Sequence, residues 1–278
     1  NPDDFDVVQD FSGPFPVEVI TRMAGVPEEY RQQVRHWIDT SLSREPGQMS
    51  QSEAGMQAQL DSAMYYYQLV QERRANPQDD MISRLIAAEI PDESGTPRKL
   101  DDIESTSFAS LLGGAGAETV TKLLGTAMVN FARFPEQWQK LLDDRSKIPA
   151  AVEELLRYEG PVQYNVRYSL KEAHLHGVTI PAGKPVFLIG AAANRDPRAF
   201  TEAEKFDIDR DRTEAQNLGL GYGIHSCLGA ALARMESAIA LEKLLDFMPH
   251  YEVQWDRLER VHMQNVAGWH SVPVKVLR

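Results

Sequence analysis

One cysteine occurs in the 278 residues, and its surroundings are unusual in type and spacing. The run Leu220-Gly-Tyr-Gly-Ile-His-Ser-Cys-Leu-Gly229 sets Gly221, Gly223 and Gly229 around Cys227, and a helical pattern opens directly after it. A thiol at a helix N-terminus meets free N–H groups and the positive end of the helix dipole, and both favour the thiolate. Glycines let the backbone fold tightly around a sulfur. A thiolate presented in this way suits a soft, redox-active iron centre. Two plainer readings compete. A lone cysteine beside a Gly-rich turn is ordinarily a buried structural residue. The other is a Cys–His hydrolase, but there the histidine normally comes from elsewhere in the chain. His225 is two positions from Cys227, where its ring would point away from the sulfur. The spacing G-x-G-x-H-x-C-x-G favours the metal ligand over both.

A second constellation lies upstream, in Leu111-Leu-Gly-Gly-Ala-Gly-Ala-Glu-Thr119. Each glycine inside a helix costs roughly 1 kcal/mol against alanine. Three of them, at 113, 114 and 116, point to close approach by something flat or bulky, or to a local opening of the helix. Glu118 and Thr119 follow at once. A carboxylate beside a hydroxyl can hold water and relay protons, and the Thr hydroxyl can bond back to the preceding turn. The competing reading is helix–helix packing through the glycines, with Glu118 at the surface. A third constellation is Glu154-Leu-Leu-Arg157, whose spacing puts carboxylate and guanidinium on one helix face. Ala193-Asn-Arg-Asp-Pro197 and Phe206-Asp-Ile-Asp-Arg210 follow it, and Arg210 could complete a Glu–Arg–Arg network. Burial of such a network is tolerable only if every charge is paired.

These residues need a scaffold, and the pattern of apolar positions supplies one. Helices are expected over Phe15–Met23, Glu28–Leu42, Ala54–Ala75 and Asp79–Ala88, then over a long stretch from Leu100 to Phe134. Pro135 and Pro149 each open a further helix, because proline suits the first helical positions. Residues 44–53 and Pro91–Pro97 read as loops. From Val162 to Gly190 the composition turns to Val, Ile, Tyr and Phe with turn signals, which predicts short strands and hairpins. Residues 194–226 read as irregular, Leu228–Phe247 as a helix, and the tail ends as strand. The fold class is mainly α with small β-sheets.

Composition narrows the partners. A formal net charge of −12 disfavours nucleic acid and anionic membrane surfaces. A single cysteine excludes an internal disulfide and suits a reducing compartment, so a cytoplasmic location is expected. The opening Asn1-Pro-Asp-Asp-Phe5 lacks the basic and apolar regions of a signal peptide, and no apolar run is long enough for a transmembrane helix.

In order and spacing, the glycine-rich helix with Glu-Thr, the Glu-x-x-Arg, the Asn-Arg-Asp-Pro and the cysteine loop together resemble a bacterial, soluble cytochrome P-450. The resemblance runs from about residue 5 to the end. It implies a single haem-thiolate domain over 1–278, helical over 1–160 and mixed β and irregular over 161–278, lacking the family's N-terminal third. That third would carry a sheet, a loop over the substrate and a helix with further propionate contacts. A chain limited to these residues is expected to hold haem weakly.

Residue by residue, the match implies haem b ligated by Cys227, with Leu220, Gly221, Gly223 and Gly229 forming the ligand loop. His225 and Arg167 would contact the propionates, and Ala115 and Gly116 would let the helix pass close to the macrocycle. Glu118 and Thr119 would deliver protons, and Glu154, Arg157 and Arg210 would form the structural network. Leu112, Ala115, Gln163, Tyr164 and Trp269 would contact substrate. Where the family's loop ordinarily opens with Phe, this chain has Leu220, which would tune the iron's surroundings without affecting ligation.

The function implied is monooxygenation of a small or mid-sized organic compound. Electrons would come from a separate ferredoxin or flavodoxin, since the chain has no flavin or iron–sulfur motif; Arg234 is a candidate docking contact. A peroxide-driven peroxygenase and a non-catalytic haem-thiolate binding module are the alternatives. Retention of Glu118-Thr119 argues against both.

Overall fold

The computed structural model describes residues 5–48 and 50–277. The signal-peptide reading of the first four positions therefore lies outside it, as does Met49 of the loop expected over 44–53. The elements run in order as β1 (Phe5–Asp6), α1 (Pro14–Ala24), α2 (Glu28–Leu42), α3 (Glu53–Ala75), α4 (Met81–Ala87), β2 (Glu89–Pro91), β3 (Pro97–Lys99) and α5 (Asp102–Arg133). Then follow α6 (Pro135–Asp143), α7 (Ile148–Glu159), β4 (Asn165–Tyr168), β5 (Ala173–Leu175), β6 (Val178–Ile180), β7 (Pro185–Leu188) and α8 (Gly190–Ala193). The chain closes with α9 (Ala230–Phe247), β8 (Tyr251–Val253), β9 (Glu259–Arg260), β10 (Trp269–Ser271) and β11 (Pro273–Val276). The described residues group into two compact units, one of residues 5–48, 50–125, 254–264 and 269–275, the other of 126–253, 265–268 and 276–277.

In the first unit a π-helical turn over Val7–Ser12 leads into α1. Gly25 ends α1 in the left-handed region at φ 89°, a conformation that costs glycine little. α2 lies along α3, with α1 against α2 and α4 against α3. Val17, Ile20, Val34, Ile38, Tyr66 and Val70 form part of the buried core. The start of α5 is fixed by a reciprocal cap: Glu104 N donates to Asp101 Oδ1 at 2.8 Å, and Asp101 N donates to Glu104 Oε2 at 2.9 Å.

The turn-rich stretch Pro91–Pro97 is a turn as expected, but short strands that the sequence did not mark flank it: it closes the β2–β3 hairpin, paired Glu89↔Lys99 through Pro91↔Pro97. The cause is side-chain turn chemistry. Asp92 Oδ1 accepts from Ser94 N, Ser94 Oγ and Thr96 N, and Gly95 takes φ +83°, which closes the turn.

In the second unit α7 packs on α9, and the chain between them forms two antiparallel pairs, β4 with β7 and β5 with β6. Phe206 anchors an aromatic cluster, with ring centroids 5.3–5.6 Å from Phe131, Phe134 and Tyr158. Among the described residues no helix is long and apolar enough to cross a membrane.

Candidate active site

α7 is the anchor of the cysteine loop. Glu154, Arg157 and Arg210 have side chains 2–8% exposed. Arg157 donates Nε and Nη2 to the two oxygens of Glu154, both at 2.8 Å. Its remaining N–H groups reach the carbonyls of Asn194, Ala203 and Lys205 at 2.8–2.9 Å. Arg210 Nε lies 3.3 Å from Glu154 Oε2, and Asp207 N donates to Oε1 at 2.9 Å. A planar guanidinium with five donors suits this task, because it neutralises one carboxylate and ties down three backbone carbonyls of the irregular segment together. The irregular segment 194–217 is thereby held without regular secondary structure.

The ends of the loop are pinned to the same helix. Before it, Asn217 Nδ2 donates to Glu153 O at 2.9 Å, and Gly219 lies so close to Leu156 that a Cβ would fall 2.5 Å from its carbonyl oxygen. After it, Arg234 of α9 pairs with the Glu153 carboxylate, which raises the guanidinium's already high pKa. This internal pair engages the candidate docking residue, though about half of its side chain stays exposed. Between the pins, Gly221 and Gly223 turn the chain at φ +74° and +68°, and Cys227 N donates to Leu220 O at 2.8 Å. α9 begins at Ala230, with Gly229 as its N-cap, so Cys227 stands just before the first turn. Its thiol is free and exposed. A cysteine in the plainest of the competing readings would be buried, and this one is not. Ile224 and Leu228 beside it are 98% and 76% exposed. A soft sulfur donor bordered by open apolar side chains fits a flat apolar macrocycle with a central iron. His225 and Arg167 are both exposed and offer N–H donors.

α5 is one unbroken α-helix of 32 residues, so its glycines do not open it. Two of them are packing sites. A Cβ on Gly113 would meet Tyr66 Oη at 2.1 Å, and one on Gly116 would meet Ile20 at 2.7 Å. Gly114 has nothing within 4 Å. Leu112, Ala115, Gly116 and Thr119 recur at helical spacing and keep part of their surface open, while Gly113, Ala117, Glu118 and Val120 are buried. Thr119 Oγ1 donates to Ala115 O at 3.0 Å, the back-bond expected of a helical threonine. Glu118 is 4% exposed, not at the surface, and Lys122 Nζ lies 2.8 Å from its Oε1. Burial pushes its carboxyl up to about 7; Lys122 opposes the rise and Asp39 of α2 adds to it. Lys122 and Asp39 did not emerge from the motifs. A lone lysine four residues after Glu118 in an apolar run was a readable signal, whereas nothing local marks Asp39.

The residues proposed for substrate contact are less uniform. Gln163 lines a cavity of about 560 Å³ with Tyr158, Glu159, Ile189 and Arg195, and Cys227 is not among its walls. Gln163 Nε2 is tied to Gly160 O at 2.8 Å, and Tyr164 packs its ring 5.3 Å from that of Phe187. Trp269 is only 6% exposed, with Arg260 3.9 Å over its ring, so little of it is open to a ligand.

A helical scaffold with small sheets and an open cysteine loop clamped to an Arg–Glu helix is the arrangement expected of the haem-thiolate class. The sequence matches the Cytochrome P450 family over residues 46–277, and the chain belongs to that family. It is 38% identical to the biotin biosynthesis cytochrome P450 of Bacillus subtilis over 251 residues, 88% of this chain and 60% of that protein. Among solved structures it is similar to P450BioI in complex with an acyl carrier protein ligated to hexadec-9Z-enoic acid. There the TM-score is 0.87 at 34% identity, covering 99% of this chain and 69% of that one. It is similar also to a mutant of P450 EryK in complex with erythromycin B, with TM-score 0.89 at 34% identity over 98% and 69%. The chain spans about 66% of the length of other curated relatives that it matches.

Proposed function

We propose that this chain carries the haem-ligating part of a monooxygenase that places one atom of dioxygen into a small or mid-sized organic substrate. The observation that supports this most directly is the exposed Cys227 thiol, held at the mouth of α9 by a loop clamped at both ends to α7. Haem b, when bound, supplies the redox chemistry that activates dioxygen. Cys227 serves as the iron ligand, and a thiolate there pushes electron density toward the metal. Leu220, Gly221, Gly223 and Gly229 shape the loop, and His225 and Arg167 donate to the propionates. Ala115 and Gly116 carry no bulk on the open stripe of α5, which suits a close approach by a planar group. Thr119 holds a water-sized polar partner on that stripe, and Glu118, with its pKa near neutrality, passes protons.

Leu112, Gln163, Tyr164 and the small exposed part of Trp269 are assigned to substrate contact. The solved relatives hold erythromycin B in one case and an acyl chain on a carrier protein in another. Both fit a mid-sized, largely apolar substrate, free or tethered. Electrons come from a ferredoxin or flavodoxin, docking on the face that carries Arg234.

The carbon monoxide difference spectrum of the reduced, haem-loaded protein tests the ligation. A red-shifted band of the thiolate type is expected, and its loss in Cys227→Ser. Persistence of that band in the serine variant would refute the assignment. Substrate-dependent NADPH consumption with redox partners, against product formation from peroxide alone, separates a monooxygenase from a peroxygenase. Absence of both would leave only a binding module.

A further inference from the structure

α3 is apolar on two faces. Its inner face buries Ala58, Tyr66, Leu69 and Val70 in the core. On the opposite side Met56, Leu60 and Met64 stand one turn apart and are 49%, 60% and 58% exposed. A surface helix ordinarily turns charged and polar side chains to water, and α2 does so with Glu28, Glu29, Gln32 and His36. At 3.6 residues per turn the outer stripe of α3 runs from Glu53 through Met56, Leu60 and Met64 to Tyr67 and Gln71, and Glu53 is its single charge. Beyond Tyr67 the apolar edge continues to Ile103 at the start of α5, which shares a surface cavity with Tyr67 and is 67% exposed. A contiguous apolar ridge open to water marks a contact site.

The order of residues along the stripe points to its occupant. It is nearly symmetric about Leu60: Met56 and Met64 lie four positions to either side, Glu53 and Tyr67 seven. A second copy laid antiparallel across the first, with a two-fold axis at Leu60, sets Leu60 against Leu60 and Met56 against Met64. It also faces each Glu53 carboxylate with a Tyr67 phenol, an acceptor with a donor. No like charges meet. Such pairing, in which every contact occurs twice, is the isologous arrangement of two-fold dimers. Methionine side chains adapt readily to an opposing surface. Other occupants fit less well. A helix face that lies on a membrane is edged with Lys and Arg, whereas Asp61 borders this one, Arg74 at its far end is taken up by Asp102, and the chain's net charge is −12.

We propose that α3 is the contact helix of a homodimer formed across a two-fold axis at Leu60. With 23 residues, α3 is about 35 Å long. A strip of that length and one helix wide lies at the small end of specific interfaces, so the dimer forms and dissociates with protein concentration.

Sedimentation velocity of the haem-loaded protein, over a micromolar to submillimolar series, tests this. A monomer–dimer equilibrium is expected. Leu60→Glu should raise its dissociation constant at least about tenfold, because it sets two carboxylates face to face. Met56→Lys and Met64→Glu should each weaken the dimer. Their combination in one chain should restore it, since the axis then joins an ammonium of one copy to a carboxylate of the other. All three positions are exposed, so circular dichroism should be unchanged in every variant. A protein that stays monomeric throughout the series overturns the proposal. So does a dimer that Leu60→Glu leaves intact, or one that the double variant fails to restore. Flotation with vesicles of phosphatidylcholine and phosphatidylserine covers the other occupant: binding by a monomeric protein, abolished in Leu60→Glu, assigns the ridge to lipid and also overturns it.

Discussion

Glu154 and Glu118 are equally buried, each 4% exposed, and both sit on helices three or four residues before a basic side chain. Their surroundings differ in one respect. Glu154 is saturated with donors: two from Arg157, one from Arg210 and the backbone N–H of Asp207. Glu118 has Lys122 on one side and a second carboxylate on the other. The first arrangement makes an anchor, because any loss of charge would strand several donors at once. The second makes a group that gains and loses a proton near neutrality. Burial alone therefore does not assign a role to a carboxylate; the number and sign of its neighbours do.

The sharpest way to break this contrast is to remove the basic partner from each. Arg157→Leu should destabilise the fold by about 3–5 kcal/mol, since Glu154 would remain as an uncompensated buried charge and three carbonyls would lose their donor. Lys122→Met should cost only about 2 kcal/mol, because Glu118 can take up a proton instead. Urea denaturation at pH 7 measures both. Equal losses would erase the distinction.

A smaller effect concerns pH. In the unfolded chain Glu118 titrates near the ordinary glutamate value of about 4.3, whereas in the fold it is pushed up to about 7. The folded state thus binds the extra proton. Its contribution is full below the unfolded value and is lost as pH rises through 7. Glu118→Gln cannot ionise, so its stability relative to the parent should improve by about 2–3 kcal/mol between pH 5 and 8, then level off. A gap that stays constant across the same series would show that Glu118 behaves as an ordinary surface acid.

The smallest effect separates the glycines of α5. Gly114→Ala meets open space and should stabilise the helix by about 0.5–1 kcal/mol. Gly113→Ala drives a methyl into Tyr66 and should destabilise. Thermal melts that moved in the same direction for both would contradict the packing described for Gly113.

Much of this was legible without coordinates, and the reason is spacing. α2 runs over the residues expected of it, and α5 keeps to within two residues of its expected bounds. Apolar periodicity and capping residues are local signals, complete within a few turns. The Glu154–Arg157 pair was readable for the same reason. The β2–β3 hairpin was not, because its strands are three residues long and prolines stand where ladder donors would be. The π-helical turn at Val7–Ser12 likewise has no periodic signature.

The order of the motifs, the single cysteine among glycines and the helical frame were therefore determined by the sequence itself, since each depends on residues within a turn or two of one another. Tertiary structure alone decided which carbonyls Arg157 would hold, that Asn217 and Arg234 would clamp the cysteine loop to α7, and that Asp39 would meet Glu118 from 79 positions away. Contacts of that kind form only when separate segments are brought together by the packing of their apolar faces, and a linear pattern carries no record of which polar groups will then face each other.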